Sequence, residues 1–125
     1  MDLQSIISEV KTLARETGRF IAEQRKNFDS SRVESKQSHD YVSYVDKECE
    51  RMIVSRLKEI LPQAGFITEE KTIAQDDGNK ELYWIVDPLD GTTNFIHDLA
   101  PYSVSIALRD SKELLLGVVY EVTRD

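Results

Sequence analysis

The 125 residues are 40% hydrophobic and 31% charged, a balance that suits one globular domain with a single core. A formal net charge of −7 argues against nucleic acid and anionic membranes as main partners, since both require basic patches, and it leaves a cation to mediate any contact with an anionic substrate. No run of 18 apolar residues and no basic, apolar leader is present, and the opening MDLQSIISEV already holds acids, so cytoplasmic residence is expected.

From Asp2 to about Asn27 apolar residues recur at Leu3, Ile6, Ile7, Val10, Leu13, Ala14, Ile21 and Ala22, the spacing of a long amphipathic helix. Residues 28 to 40, which end in DSSRVESKQSHD, have no period and read as a polar loop or a weak strand pair. A second helix is expected from near Val45 to Ile60, with Val45, Cys49, Met52, Ile53, Leu57, Ile60 and Leu61 along one face and Pro62 as its stop. Cys49 is the single cysteine, has no partner for an internal disulfide, and reads as a small core residue.

Beyond Pro62 the period shortens. GFITEE, ELYWIVDP, YSVSIALRD and ELLLGVVYEV are rich in β-branched and aromatic residues and are separated by Gly, Asp, Asn and Pro, so at least three strands follow the two helices. Ser111 and Lys112 bridge the last two in an expected hairpin, although the turn lacks the favoured glycine. The order gives an α+β fold, two N-terminal helices packed on a largely antiparallel sheet. The last expected strand is followed by three residues, and one sheet face is expected to lack a cover and to expose apolar side chains between Leu114 and Val119.

The chemistry concentrates in Trp84 to Phe95, WIVDPLDGTTNF. An apolar strand delivers Asp87 to its end, Pro88 cannot donate to a ladder, and Asp90-Gly91 makes a tight turn, so two carboxylates emerge together. Gly91 lets successive amides at 91 to 93 face a phosphate, and the Leu89 carbonyl between the acids is free to meet a cation. Hard oxygens of this kind suit magnesium. The competing reading is a surface turn in which both aspartates cap backbone groups. Glu69 and Glu70, after another strand, either reach the same sheet edge or form a solvated loop, and Asp46 reads by itself as an N-cap of the second helix.

WIVDPLDGTTNFIH resembles the metal-binding signature of the inositol monophosphatase family, VSYVDKECE resembles its segment with an aspartate near the nucleophilic water, and FITEE resembles its Gly-Glu-Glu element. The three occur in order and cover essentially the whole chain. The resemblance implies a layered αβαβα sugar-phosphatase-like fold of which residues 1–125 form the N-terminal, metal-binding part, with a further aspartate ligand in a C-terminal half that this sequence does not contain. It implies that Glu69, Asp87 and the Leu89 carbonyl bind one magnesium, that Asp87 and Asp90 bridge to a second, and that manganese can substitute. Glu69, Leu89, Asp90, Gly91 and Thr92 would form the substrate side, with the amides of Gly91 and Thr92 on the phosphate. Asp46, Glu69 and Thr92 would be catalytic, the Thr92 hydroxyl and Asp46 orienting the attacking water, and Glu70 would stand behind them or serve a weaker site. Thr68 departs from the family's glycine before the Glu pair.

The implied activity is magnesium-dependent hydrolysis of inositol monophosphate or a similar polyol or sugar phosphate, sensitive to lithium and to excess magnesium, in a complete enzyme that is a homodimer. His39 and His97 lie beside no supported nucleophile, so a histidine-based mechanism is not expected. A haloacid-dehalogenase-like phosphatase needs Asp-x-Asp, whereas Pro88 and Leu89 separate the acids here, and Pro88 also breaks an EF-hand loop. A bisphosphate nucleotidase or histidinol-phosphatase of the same superfamily, and a non-catalytic binding module, are the alternatives.

Overall fold

The computed structural model describes residues 1–27, 35–72 and 79–124, with side chains in the middle segment from residue 42 onward. Helix α1 spans Leu3–Asn27, close to the expected bounds. Asp2 caps it, since its Oδ1 accepts the amides of Gln4 at 3.1 Å and Ser5 at 3.3 Å. Helix α2 spans Ser35–Ile60 and begins ten residues before the expected Val45. Apolar periodicity marks only the part of a helix that packs, whereas a helix once nucleated propagates through polar formers such as Lys and Gln at little cost. Residues 35 to 40 are therefore helical where a loop or strand pair was expected, and residues 28 to 34 of that expectation lie outside the described residues.

Four strands follow: β1 Gly65–Thr68, β2 Tyr83–Asp90, β3 Ser103–Arg109 and β4 Leu114–Glu121. They form one sheet in the order β1-β2-β3-β4. The sheet is mixed, because β1 pairs parallel with β2 while β2-β3 and β3-β4 are antiparallel. The expected hairpin is present, and its turn does without glycine because Asp110 Oδ1 accepts the amides of Lys112 and Glu113, each at 2.8 Å. A short helix, α3 (Thr92–His97), stands where only a turn was expected.

The register decides which residues meet the helices. Phe66, Trp84, Leu108 and Leu116 are cross-strand neighbours in one inner row, and Thr68, Val86, Ile106 and Val118 form the next. All eight are buried. Helix α1 lies against β3 and β4, and α2 lies against β2, so Val10, Ile21, Val45, Ile53 and Leu57 close the core from above. Burying each such side chain contributes roughly 1.5–3 kcal/mol. Gly18 lets α1 approach β4 closely, since a Cβ there would stand 2.3 Å from the Tyr120 ring. The opposite face carries the row Ile67, Ile85, Ala107 and Gly117 and leaves Ile67, Ile85 and Val119 exposed. Leu114 is exposed as expected, but Leu116 and Val118 point into the core because side chains alternate along a strand.

Candidate metal and phosphate site

Strand β2 does not end at Asp87 as its proline suggested. It continues to Asp90 through a break in register, with Asp87 opposite Ser105 and Asp90 opposite Ser103. Three steps on β2 thus match two on β3, which is a bulge of one extra residue at Pro88-Leu89. The bulge changes parity. Residues three apart on a regular strand face opposite ways, whereas partners of Ser103 and Ser105 share a face, so Asp87 and Asp90 are brought to the same side. Pro88 is tolerated there because a bulge leaves an unpaired position in the ladder.

Two further elements deliver acids to the same end of the sheet. Glu69 follows β1 directly, and its amide donates to the Val86 carbonyl at 3.2 Å, next to Asp87. Asp46 lies eleven residues inside α2, so it is no N-cap, and it is 8% exposed with Oδ1 buried and without a hydrogen-bond partner. Burial first, then the charges of Glu70, Asp87, Glu69 and Glu50, push its carboxyl up to about 7. Asp87 is raised by burial, then by Asp90 and Glu69, against a lowering hydrogen bond from the Leu89 amide. Glu70 is raised by burial, then by Glu50 and Glu69, with Lys47 opposing. These carboxylates act on one another as like charges in a half-dry setting.

Leu89 is buried, and its carbonyl accepts a long hydrogen bond from the Thr92 hydroxyl at 3.4 Å, so it is not wholly free as expected. Gly91 sits at φ 92 and ψ 43 as the N-cap of α3. Its conformation turns the strand into the helix, and the first amides of α3 have no partner within the helix. Asn94 Nδ2 donates to the Pro101 carbonyl at 2.8 Å and Tyr102 packs edge-on against Phe95, which ties α3 to the start of β3.

Among the described residues, no three His, Cys, Asp or Glu side chains stand in metal-holding geometry. The donor set nevertheless fits a hard divalent cation: Glu69, Glu70, Asp87 and Asp90 offer only oxygens, and the bare buried oxygen of Asp46 lies in the same electrostatic neighbourhood. Thr68 ends β1 as a buried strand residue paired with Val86, and its hydroxyl has no hydrogen-bond partner. His97 is exposed at the end of α3, and the side chain of His39 lies outside the described residues. Cys49 is buried, as its helical position suggested.

Glu50 is the participant that sequence patterning missed. It is fully buried, and it accepts the amides of Glu70 and Thr72. The available signal was its position one turn after Asp46, on the same helix face.

The model of the inositol monophosphatase family matches residues 2–125. The chain belongs to the inositol monophosphatase family. It is 40% identical over 108 residues to Nus factor SuhB of Vibrio cholerae, covering 86% of this chain and 40% of that protein. It is 33% identical over 125 residues to the Inositol-1-monophosphatase of Mesorhizobium japonicum, covering 100% of this chain and 47% of that one. The crystal structure of inositol monophosphatase II from Staphylococcus aureus superposes with a TM-score of 0.79 at 28% identity, over 97% of this chain and 44% of that chain. The chain thus spans less than half the length of the curated relatives it matches. The family as a whole is one of phosphatase-type hydrolases that use divalent metals. No described helix is long and apolar enough to cross a membrane.

Proposed function

We propose that these residues form the magnesium-binding part of a site that hydrolyses a small phosphate monoester, inositol monophosphate or a similar polyol or sugar phosphate. The observation that carries this reading is geometric: the β2 bulge puts Asp87 and Asp90 on one side, the Glu69 amide is bonded to Val86 next to Asp87, and α2 adds Asp46 with a buried oxygen that has no hydrogen-bond partner. Glu69, Asp87, the Leu89 carbonyl and Asp90 would hold magnesium or manganese, Asp87 being shared between two ions. Bound there, the cations would lower the pKa of a water and neutralise the charge on the leaving oxygen.

The chain's own groups have distinct tasks. Asp46 Oδ1 accepts a hydrogen bond from the attacking water. The Thr92 hydroxyl donates to the Leu89 carbonyl, so its oxygen lone pairs remain to accept the water's second hydrogen. With both hydrogens held, the water's lone pair is directed at phosphorus. The amides of Gly91 and Thr92 donate to the phosphate oxygens, and Glu69, Leu89 and Asp90 border the substrate. Water attacks directly, without a phosphoenzyme: its oxygen bonds to phosphorus as the bond to the polyol oxygen breaks, one of its protons passes to Asp46, and the leaving oxygen takes up a proton from solvent. The complete protein is proposed to be a cytoplasmic homodimer of greater length, in which residues 1–125 are the N-terminal metal-binding part.

Phosphate release from inositol 1-phosphate, with and without magnesium, tests the proposal on this chain and on one of the relatives' length. Magnesium-dependent release by the longer chain, and little by the 125 residues alone, is expected, because the family resemblance implies one more carboxylate ligand. Equal turnover by the two chains would show the site to be complete within 125 residues. Absence of release from both would leave a non-catalytic binding role, a reading that the name Nus factor among several relatives keeps in view.

A further inference from the structure

We propose that Glu50 is a positioning residue whose buried carboxylate holds the Glu69–Thr72 segment against α2, and so sets where Glu69 and Glu70 stand relative to Asp46 and Asp87. The inference rests on the reading of this site as a divalent-cation phosphatase.

Glu50 is 0% exposed, and a carboxylate out of water requires donors on both oxygens. It has them, all from one short segment. Oε1 accepts the Glu70 amide at 2.8 Å, and Oε2 accepts the Thr72 amide at 2.7 Å and the Thr72 hydroxyl at 2.5 Å. These are charge-assisted bonds of good length. Lys71, between the two amide donors, is held at φ 53, a left-handed conformation uncommon for a residue with a side chain. It lies in the segment whose two flanking amides reach the same carboxylate, and such outliers persist where the surroundings over-determine them.

The consequence for the site follows from the other end of the segment. The Glu69 amide is bonded to Val86 of β2, the residue before Asp87, while the next amide is bonded to Glu50 of α2, one turn beyond Asp46. The Glu69-Glu70 pair is therefore fixed from both sides by the two elements that carry its partner acids. Burial alone would be satisfied by an apolar side chain. What the segment requires is an acceptor at both oxygens. A glutamine at 50 would turn an amino group toward at least one of the present donors, and an aspartate would be shorter by one methylene.

The test compares Glu50→Gln, Thr72→Val and Thr72→Ser in this chain and in one of the relatives' length. Three readouts are taken: amide hydrogen exchange at residues 70 and 72, magnesium or manganese affinity by calorimetry, and phosphate release. Thr72→Val removes one partly exposed donor and leaves the core intact, so it reports even if Glu50→Gln folds poorly. Thr72→Val is expected to speed exchange at these amides about tenfold and to weaken metal binding, while Thr72→Ser, which keeps the hydroxyl, restores both. Glu50→Gln is expected to weaken metal affinity by about 10- to 100-fold. Unchanged metal affinity in Thr72→Val and in folded Glu50→Gln would overturn the positioning role. Wild-type protein with protected amides but no magnesium binding would instead overturn the metal reading, and the role of Glu50 in it.

Discussion

A Cβ at Gly91 would stand 2.8 Å from the carbonyl oxygen of Pro101, a backbone atom that cannot swing aside. The residue also sits at φ 92, where side chains are strained. Gly91→Ala therefore meets both obstacles together and is expected to cost about 2 kcal/mol or more in urea unfolding. An unchanged midpoint would make Gly91 an ordinary turn residue.

Asp87 carries a charge that its surroundings oppose, since burial, Asp90 and Glu69 all raise its carboxyl. Asp87→Asn keeps the shape, and its Oδ1 can still accept the Leu89 amide. In the metal-free protein the variant should be as stable as the parent or slightly more so. Turnover in a chain of the relatives' length should fall about a thousandfold, because several kcal/mol of charge stabilisation is lost. Near-normal turnover would end the assignment of Asp87 as a shared ligand.

Asp46→Asn and Thr92→Ala are expected to lower kcat far more than they raise KM, because orienting a water acts mainly in the transition state. The opposite pattern, raised KM at equal kcat, would assign both residues to binding.

The Asp46 carboxyl is raised from 3.8 to about 7, so the folded chain holds its proton more tightly than the unfolded chain does. The sign follows: stability is greatest below about pH 4 with respect to this group, and is lost as pH climbs to about 7. Asp87 and Glu70 are raised in the same direction. Asp110 and Glu121 are lowered, Asp110 by the amides of Lys112 and Glu113 and Glu121 by hydrogen bonds that outweigh its burial, but both are solvent-screened and oppose the trend weakly. With a chelator present, the urea midpoint should drop between about pH 4 and pH 7, and Asp46→Asn should flatten the drop. A midpoint that rises over that range would contradict the buried-acid account.

Cys49 is 0% exposed, and burial, followed by the charges of Asp46 and Glu48, raises its thiol. Alkylation by iodoacetamide should proceed only as fast as the chain opens, and should become rapid in urea. Prompt modification of native protein would show the helix face to be accessible.

Local pattern was enough for much of this molecule. The three-and-four spacing from Leu3 to Ala22 and from Val45 to Leu61 marks two amphipathic helices, and the β-branched runs mark strands within two residues of their ends. Those signals are legible because each is written in consecutive residues that share one environment. The first ten residues of α2 and the whole of α3 are not legible in the sequence, because neither stretch carries an apolar period of its own.

The sequence by itself determined which acids are available and that Asp87-Pro88-Leu89-Asp90-Gly91 interrupts a strand. Only the tertiary structure decided how they meet. The pairing with Ser103 and Ser105 turns a three-residue spacing into one face, since parity along a strand depends on the partner's register and not on the strand alone. The parallel pairing of β1 with β2 sets Thr68 beside Val86 and hence Glu69 beside Asp87. Glu50 is the clearest case: on the helix it is one more charged residue after Asp46, and its burial and its three donors exist only because a segment twenty residues away folds back onto it. Contacts of that range are set by packing, which couples residues that no local period connects.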